Sequence, residues 1–202
     1  MSFIDEDIRL AGRPATIIRD AGNISTYATA ESTGQDAGRR RLDPNFGFDY
    51  TFKFMTDSGI ASGDLVVINS EYYLVITLEP KYVFGDLEYY RGTLYKCNSV
   101  VSIYYLNNTT KKYDTLHKAD VQCLIAPVRA REWDEDKAII MPNRGYRGQT
   151  QPFQVLARSS DGILTEGCII KDASDRRFRV NKESNPFLSD GVFLSEIEWE
   201  NA

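Results

Sequence analysis

Histidine is almost missing from this chain of 202 residues: His117 is the only one. A single imidazole excludes a two-histidine metal site and His-Glu-x-x-His chemistry. It also leaves a serine or cysteine nucleophile one base at most, and no Gly-x-Ser-x-Gly elbow accompanies it. Cysteine is scarce too. Cys97, Cys123 and Cys168 stand singly inside apolar stretches, a spacing unlike a disulfide framework or a zinc site and typical of reduced thiols packed as small hydrophobes. Neither phosphate-cradling glycine loop, Gly-x-Gly-x-x-Gly or Gly-x-x-x-x-Gly-Lys-Ser/Thr, occurs. Gly145-Tyr146-Arg147-Gly148 matches the Gly-x-x-Gly clamp of single-strand binders only in outline, because that clamp joins two helices and here the flanks are Pro, Asn and Gln. Asp5-Glu6-Asp7 and Asp134-Glu135-Asp136 offer paired carboxylates, but in polar stretches that read as solvated surface. The expectation is a protein with no catalytic residues, no cofactor and no metal, working by binding and assembly.

Long hydrophobic runs are also lacking. Leu65 to Ile68 and Tyr72 to Leu78 are of strand length, against the roughly 20 residues of a membrane helix, so no membrane partner is expected. The acidic start, Met1 to Asp7, does not have the basic-then-apolar order of a secretory signal, which gives synthesis in the cytoplasm as the expectation. Positive charge is in deficit: the net charge is −5, which argues against general nucleic-acid binding, since that needs cations to displace counterions from phosphate. What is present suffices for a core, with 42% hydrophobic and 26% charged residues, both near the globular average.

The pattern along the chain is that of strands. Residues 1–19 open with a short helical turn and continue in the apolar run Pro14 to Ile18. Residues 20–46 are rich in Gly, Ser, Thr, Ala and Asp and end in Arg39-Arg40-Arg41; they read as a long loop or flexible arm. The arginines are candidates for contact with an acidic partner or phosphate, or simply solvated surface. From residue 48, Phe48, Tyr50, Phe52 and Phe54 alternate with polar neighbours, the period of a half-buried strand. Strands at 65–68, 72–78, 89–98, 100–106 and 121–128 follow, joined by polar turns. The reading is an all-β, mainly antiparallel fold: a small barrel or sandwich over 48–130, preceded by the N-terminal segment 1–47. The polar stretch 129–151 is read as an inter-domain junction leading to a second β-rich unit over 131–202. The order glycine, apolar strand, turn, then Tyr73-Leu74-Val75 after Gly63 is echoed by Phe178-Arg179-Val180 after Gly167. Two related units in tandem produce such an echo, but any β-hairpin has a similar composition, and that plainer reading is preferred.

Eight of the 12 tyrosines lie between Tyr72 and Tyr105. Adjacent pairs on a strand point to opposite faces, so one member each of Tyr72-Tyr73, Tyr89-Tyr90 and Tyr104-Tyr105 is expected to face outward. Outward tyrosines suit protein interfaces and, less favoured here, base or sugar stacking. Tyr89, Tyr90, Tyr104 and Tyr105, with Arg39, Arg40 and Arg41, are the candidate interaction residues.

The run Gly63-Asp64-Leu65-Val66-Val67-Ile68, then Tyr73-Leu74-Val75, then Thr93-Leu94-Tyr95-Lys96-Cys97-Asn98 resembles the neck proteins of tailed bacteriophages, the head-closure or head–tail joining (stopper-like) proteins. The resemblance covers about residues 60–106 and consists of packing motifs. It implies a virion structural protein, assembled in the host cytoplasm, whose β-barrel subunits form an oligomeric ring. The implied partners are other copies of the chain and the portal, adaptor and tail proteins; DNA passes nearby without specific binding, and no catalytic residue or cofactor is implied. The alternative is a tail-tip or fibre-associated β-module that binds carbohydrate or another virion protein.

Overall fold

The structure is a computed structural model that describes residues 3–31, 42–43, 47–127, 152–162, 164–187 and 189–199. It is almost wholly antiparallel β. Helix α1 (Phe3–Ala11) precedes β1 (Arg13–Ile18), β2 (Ile24–Ala30), β3 (Leu42–Asp43), β4 (Gly47–Phe54), β5 (Leu65–Ile68), β6 (Glu71–Val83) and β7 (Asp86–Lys96). After these come β8 (Ser99–Tyr105), β9 (Thr115–Pro127), β10 (Pro152–Arg158), β11 (Ile169–Asp172), β12 (Arg177–Phe187) and β13 (Ser189–Trp199). The stretch expected to be loop from residue 20 therefore contains strand β2, whose Thr26 and Ala28 point inward; the alternation of Ile24-Ser25-Thr26-Tyr27-Ala28 is a strand period written in small residues. The rest of the expected arm, residues 32–41 with the three arginines, lies outside the described residues.

Two barrels close. In the first, β1-β5-β6-β7-β4-β2 run round to β1 again, with β3 appended to β4. In the second, β8-β11-β12-β13-β10-β9 run round to β8. The chain thus passes between barrels at Cys97–Asn98. The division expected at residue 130 moves accordingly: β8 and β9 belong with 152–199, and the polar stretch read as an inter-domain junction joins two staves of one barrel. Composition misled here, because a long polar connection between staves reads like a linker.

The two closures are the same closure. Taking β1, β2, β4, β5, β6 and β7 in chain order against β8 to β13, each of the six pairings in one barrel has its counterpart in the other. The correspondence reaches single residues. Gly63 N–H donates to the Val75 carbonyl (2.8 Å) and Val75 N–H to Asp64 O (2.9 Å), while Gly167 N–H donates to Val180 O (2.7 Å) and Val180 N–H to Cys168 O (2.9 Å). Both glycines hold a positive φ, 86° and 83°, the conformation that favours glycine. An edge-to-face ring pair recurs too: Tyr50–Tyr73 at 5.4 Å and Phe153–Phe178 at 5.8 Å. The register makes these pairs equivalent, since Tyr50 sits opposite Leu94 and Phe153 opposite Ile197, the matching core positions of β7 and β13. The sequence echo is therefore a tandem repeat, against the plainer reading. The one-residue difference in its length is the β11–β12 turn. Ala173-Ser174-Asp175 stand there in place of the two-residue Asn69-Ser70, and Asp175 takes the left-handed φ (57°) that three-residue hairpin loops require.

Each barrel has its own core. Ile17, Phe52, Phe54, Val66, Tyr73 and Leu94 fill the first; Ile103, Val155, Ile170, Phe178, Val180 and Ile197 are among those filling the second. A third cluster, Leu74, Ile76 and Tyr95 against Leu124, Leu156 and Val192, lies between the barrels. This explains why Tyr73 to Ile76 are buried without alternation: one set of side chains points into the barrel and the other into the seam, so the strand is covered on both faces. Helix α1 packs on β2, β4 and β7, anchored by buried Asp5, which accepts from Thr56 N–H (2.9 Å) and Thr56 Oγ1 (2.6 Å).

Asp172 closes the β11–β12 turn. Its carboxylate accepts from Ser174 N–H and Arg176 N–H, both 2.9 Å, and from Arg176 Nε. Burial works to raise its pKa, but the bonds from Arg176 and Ser174 outweigh that and hold it below the usual value. A folded pKa below the unfolded one means stability that is present above about pH 4 and is lost as pH falls through the lowered folded value. Asp172→Ala is expected to cost about 1–2 kcal/mol at neutral pH. The gap to the unaltered protein should narrow in urea unfolding at about pH 3; a gap that stays constant refutes the assignment.

Candidate functional site: the inter-barrel seam and the outward tyrosines

The seam holds a buried charge pair. The 3-10 turn Ser159–Asp161 follows β10 and directs Asp161 inward, 2% exposed. Arg158 (9% exposed) grips it with both ends of its guanidinium, Nε to Oδ2 at 3.0 Å and Nη2 to Oδ1 at 2.7 Å. Lys118 Nζ adds a third cationic contact at 2.7 Å. The remaining guanidinium nitrogen, Nη1, donates to the carbonyl of Ile18 at the end of β1 (3.1 Å), so a charge pair of the second barrel is tied to the backbone of the first. Burial works to lower the Arg158 pKa; the Asp161 carboxylate more than offsets it and keeps the guanidinium above its ordinary value. Next to this, Arg19 Nε donates to Asp64 Oδ1 (2.9 Å), and Arg19 Nη2 reaches the Gly59 carbonyl (2.7 Å). The backbones themselves meet at Gly63 and Gly191: a Cβ on Gly63 lies 2.4 Å from Gly191 O and 2.5 Å from its Cα. Apolar packing gives the seam its area, and the Arg158 bond to Ile18 with the paired glycines joins the two backbones across it.

The cysteines are not poised as nucleophiles. Burial pushes the Cys97 and Cys168 thiols up to about 12, and complete burial also raises Cys123 well above its ordinary value, so all three are protonated at neutral pH. His117 is exposed and stacks on Tyr105, ring centroids 4.4 Å apart. Among the described residues no cluster of three or more His, Cys, Asp or Glu is placed to hold a metal ion, and no helix is long and apolar enough to cross a membrane.

The candidate tyrosines divide within each pair. Tyr73 is buried and Tyr72 is 38% exposed. Tyr90 packs on the first core and Tyr105 on the second, its hydroxyl pKa raised by burial. Tyr89 and Tyr104 carry a lysine instead, Lys53 Nζ 4.9 Å and Lys171 Nζ 5.0 Å from the ring centroids, cation–π geometry that occupies one ring face. Arg39, Arg40 and Arg41 lie outside the described residues. Sequence reasoning missed the Arg158–Asp161 pair and the tip of the β6–β7 hairpin, where Phe84 is fully exposed. The signal for the tip was available: Tyr82-Val83-Phe84 is an apolar triplet at a turn glycine, where polar residues are the rule. None existed for Arg158 and Asp161, which look like any surface pair.

No protein-family model matches the chain, and no curated protein does. Among solved structures, K. pneumonia MrkH in its apo state is similar at 9% identity and a TM-score of 0.23, covering 98% of this chain and 82% of that one. The MrkH–c-di-GMP complex follows at 8% identity and 0.19, covering 96% and 82%. At this level neither likeness informs the function.

Proposed function

We propose that this chain is a structural subunit of a tailed-phage virion, a neck or connector protein of the head-closure or head–tail joining kind that forms a ring between portal and tail. The observation that carries the reading is the two-barrel body: closed barrels packed on a shared apolar seam, tied by the Arg158 hydrogen bond to Ile18, and presenting outward tyrosines and an apolar hairpin tip. Such a body suits a load-bearing subunit, because full closure removes the open sheet edges that invite uncontrolled pairing and leaves association to discrete side-chain patches. The resemblance of residues 60–106 to the neck proteins supplies the class of assembly. A net charge of −5 suits a conduit past which DNA slides without adhering, since like charges repel. Other copies of the chain and the adjoining portal and tail proteins are the partners in this reading.

Carbohydrate binding by the outward tyrosines is the weaker alternative, because the lysines over Tyr89 and Tyr104 already cover a ring face that a sugar needs. The test is electron microscopy and protein identification on purified virions and isolated necks. The chain is expected there in a ring at the portal–tail junction. Its absence from particles sinks the proposal, and glycan-array binding abolished by Tyr89→Ala and Tyr104→Ala transfers the function to recognition of sugars.

A further inference from the structure

The β6–β7 hairpin outgrows its barrel. Its pairing with β5 ends at Leu74 and its pairing with β4 at Tyr90, yet β6 and β7 remain paired out to Val83 and Asp86. The last stretch is a two-stranded ribbon, a form only marginally stable by itself in water. Its tip is apolar: Tyr82 is 62% exposed, Val83 40% and Phe84 104%. Phe84 also occupies a left-handed turn position, φ 52°, before Gly85 at φ 95°. That position ordinarily takes Asn or Asp, and the β5–β6 turn has Asn69 there. An aromatic ring here meets both a steric and a hydration cost, and at 104% exposure the described residues bury none of it to offset them.

A second apolar patch lies on the other barrel, at the loop end of the β8–β9 hairpin, where Leu106 and Leu116 are 42% and 52% exposed and Leu116 stands opposite Tyr104. The two patches carry opposite charge. Residues 79–88 hold Glu79, Asp86 and Glu88 against Lys81 alone; residues 106–116 hold Lys111 and Lys112 against Asp114 alone.

We propose that the β6–β7 ribbon tip of one copy docks on the outer face of the β8–β9 hairpin of a second copy, Phe84 against Leu106 and Leu116, with Asp86 facing Lys111 and Lys112. The occupant is a second copy because apolar surface and charge are both complementary within this one chain; the inference rests on the ring reading in taking the neighbour to be identical. The contact joins two different surfaces, so it is head to tail, and repetition closes a ring or extends a filament.

Phe84→Asp and Leu116→Asp are the variants; both sites are exposed, and circular dichroism is expected to show unaltered folding. In native mass spectrometry and sedimentation, each alone is expected to weaken self-association roughly tenfold or more, as loss of a central interface anchor does. Mixed together they give a discriminating result. One retains the receiving face and the other the tip, so they should form a 1:1 dimer and stop. Oligomers unaffected by either variant overturn the docking surface while leaving the ring reading intact. Oligomers lost in both variants without a 1:1 dimer on mixing overturn the head-to-tail pairing. A chain that stays monomeric overturns this contact, and the ring reading is then judged by its presence in virions. Normal oligomers with Phe84→Asp excluded from particles assign the tip to a different virion protein and overturn the proposal.

Discussion

Gly63→Ala is expected to be among the most damaging single substitutions in the protein, costing about 2–5 kcal/mol. Two effects add. A Cβ at φ 86° is strained by about 1–2 kcal/mol in the left-handed region. The same Cβ lies 2.4–2.6 Å from the O, Cα and C of Gly191, and these are backbone atoms that move only if the barrels part, an overpacking cost of about 1–3 kcal/mol. Typical domains have only about 5–15 kcal/mol in total, so the urea midpoint should fall sharply. Gly59→Ala is the control. Its φ is 64° but nothing lies within 4 Å of the added Cβ, so it carries the strain alone and is expected to cost about 1–2 kcal/mol. If the two variants unfold at the same urea concentration, the Gly63–Gly191 approach does not hold the barrels together.

Asp161→Ala is expected to cost about 3–5 kcal/mol, the range for stranding one partner of a buried pair. The substitution leaves the Arg158 guanidinium in the seam with one neutral acceptor, Ile18 O, and removes the carboxylate to which both Nε and Nη2 are bonded. Lys118 loses the same partner but is one-third exposed and can turn to water. The decisive measurement is a double-mutant cycle with Arg158→Met. Removing both charges should be milder than removing Asp161 alone, because no uncompensated ion remains. Simple additivity would show that the pair does not act as a unit. Because Arg158 is tied to β1, the Asp161 variant should also loosen the barrels relative to each other, seen as faster hydrogen exchange along the seam-facing strands β6 and β10.

The strands were legible because burial on one or both faces writes a period or an apolar run into a short stretch of residues. Phe52 and Phe54 on β4, and the runs at β5 and β6, are of this kind. The repeat was half legible: the glycine-to-valine spacing is visible, but only the closure of six equivalent pairings distinguishes a duplicated barrel from two ordinary hairpins. The boundary between barrels was illegible. Cys97-Asn98 is a short crossing without Gly or Pro, whereas the polar stretch 129–151 has the composition of a linker and is none.

The amino-acid sequence by itself determined that the chain is all-β and that Tyr72 and Tyr73 turn to opposite faces. These are properties of a single strand, set by its two-residue period. Three things were decided only in the tertiary structure. Two barrels, with β8 and β9 in the second, come from pairings between strands far apart in the chain. The Arg158–Asp161 lock exists only because a turn after β10 is buried against β1. The ribbon tip becomes a candidate interface only once the barrel ends beneath it, since exposure is a relation between a residue and everything folded around it.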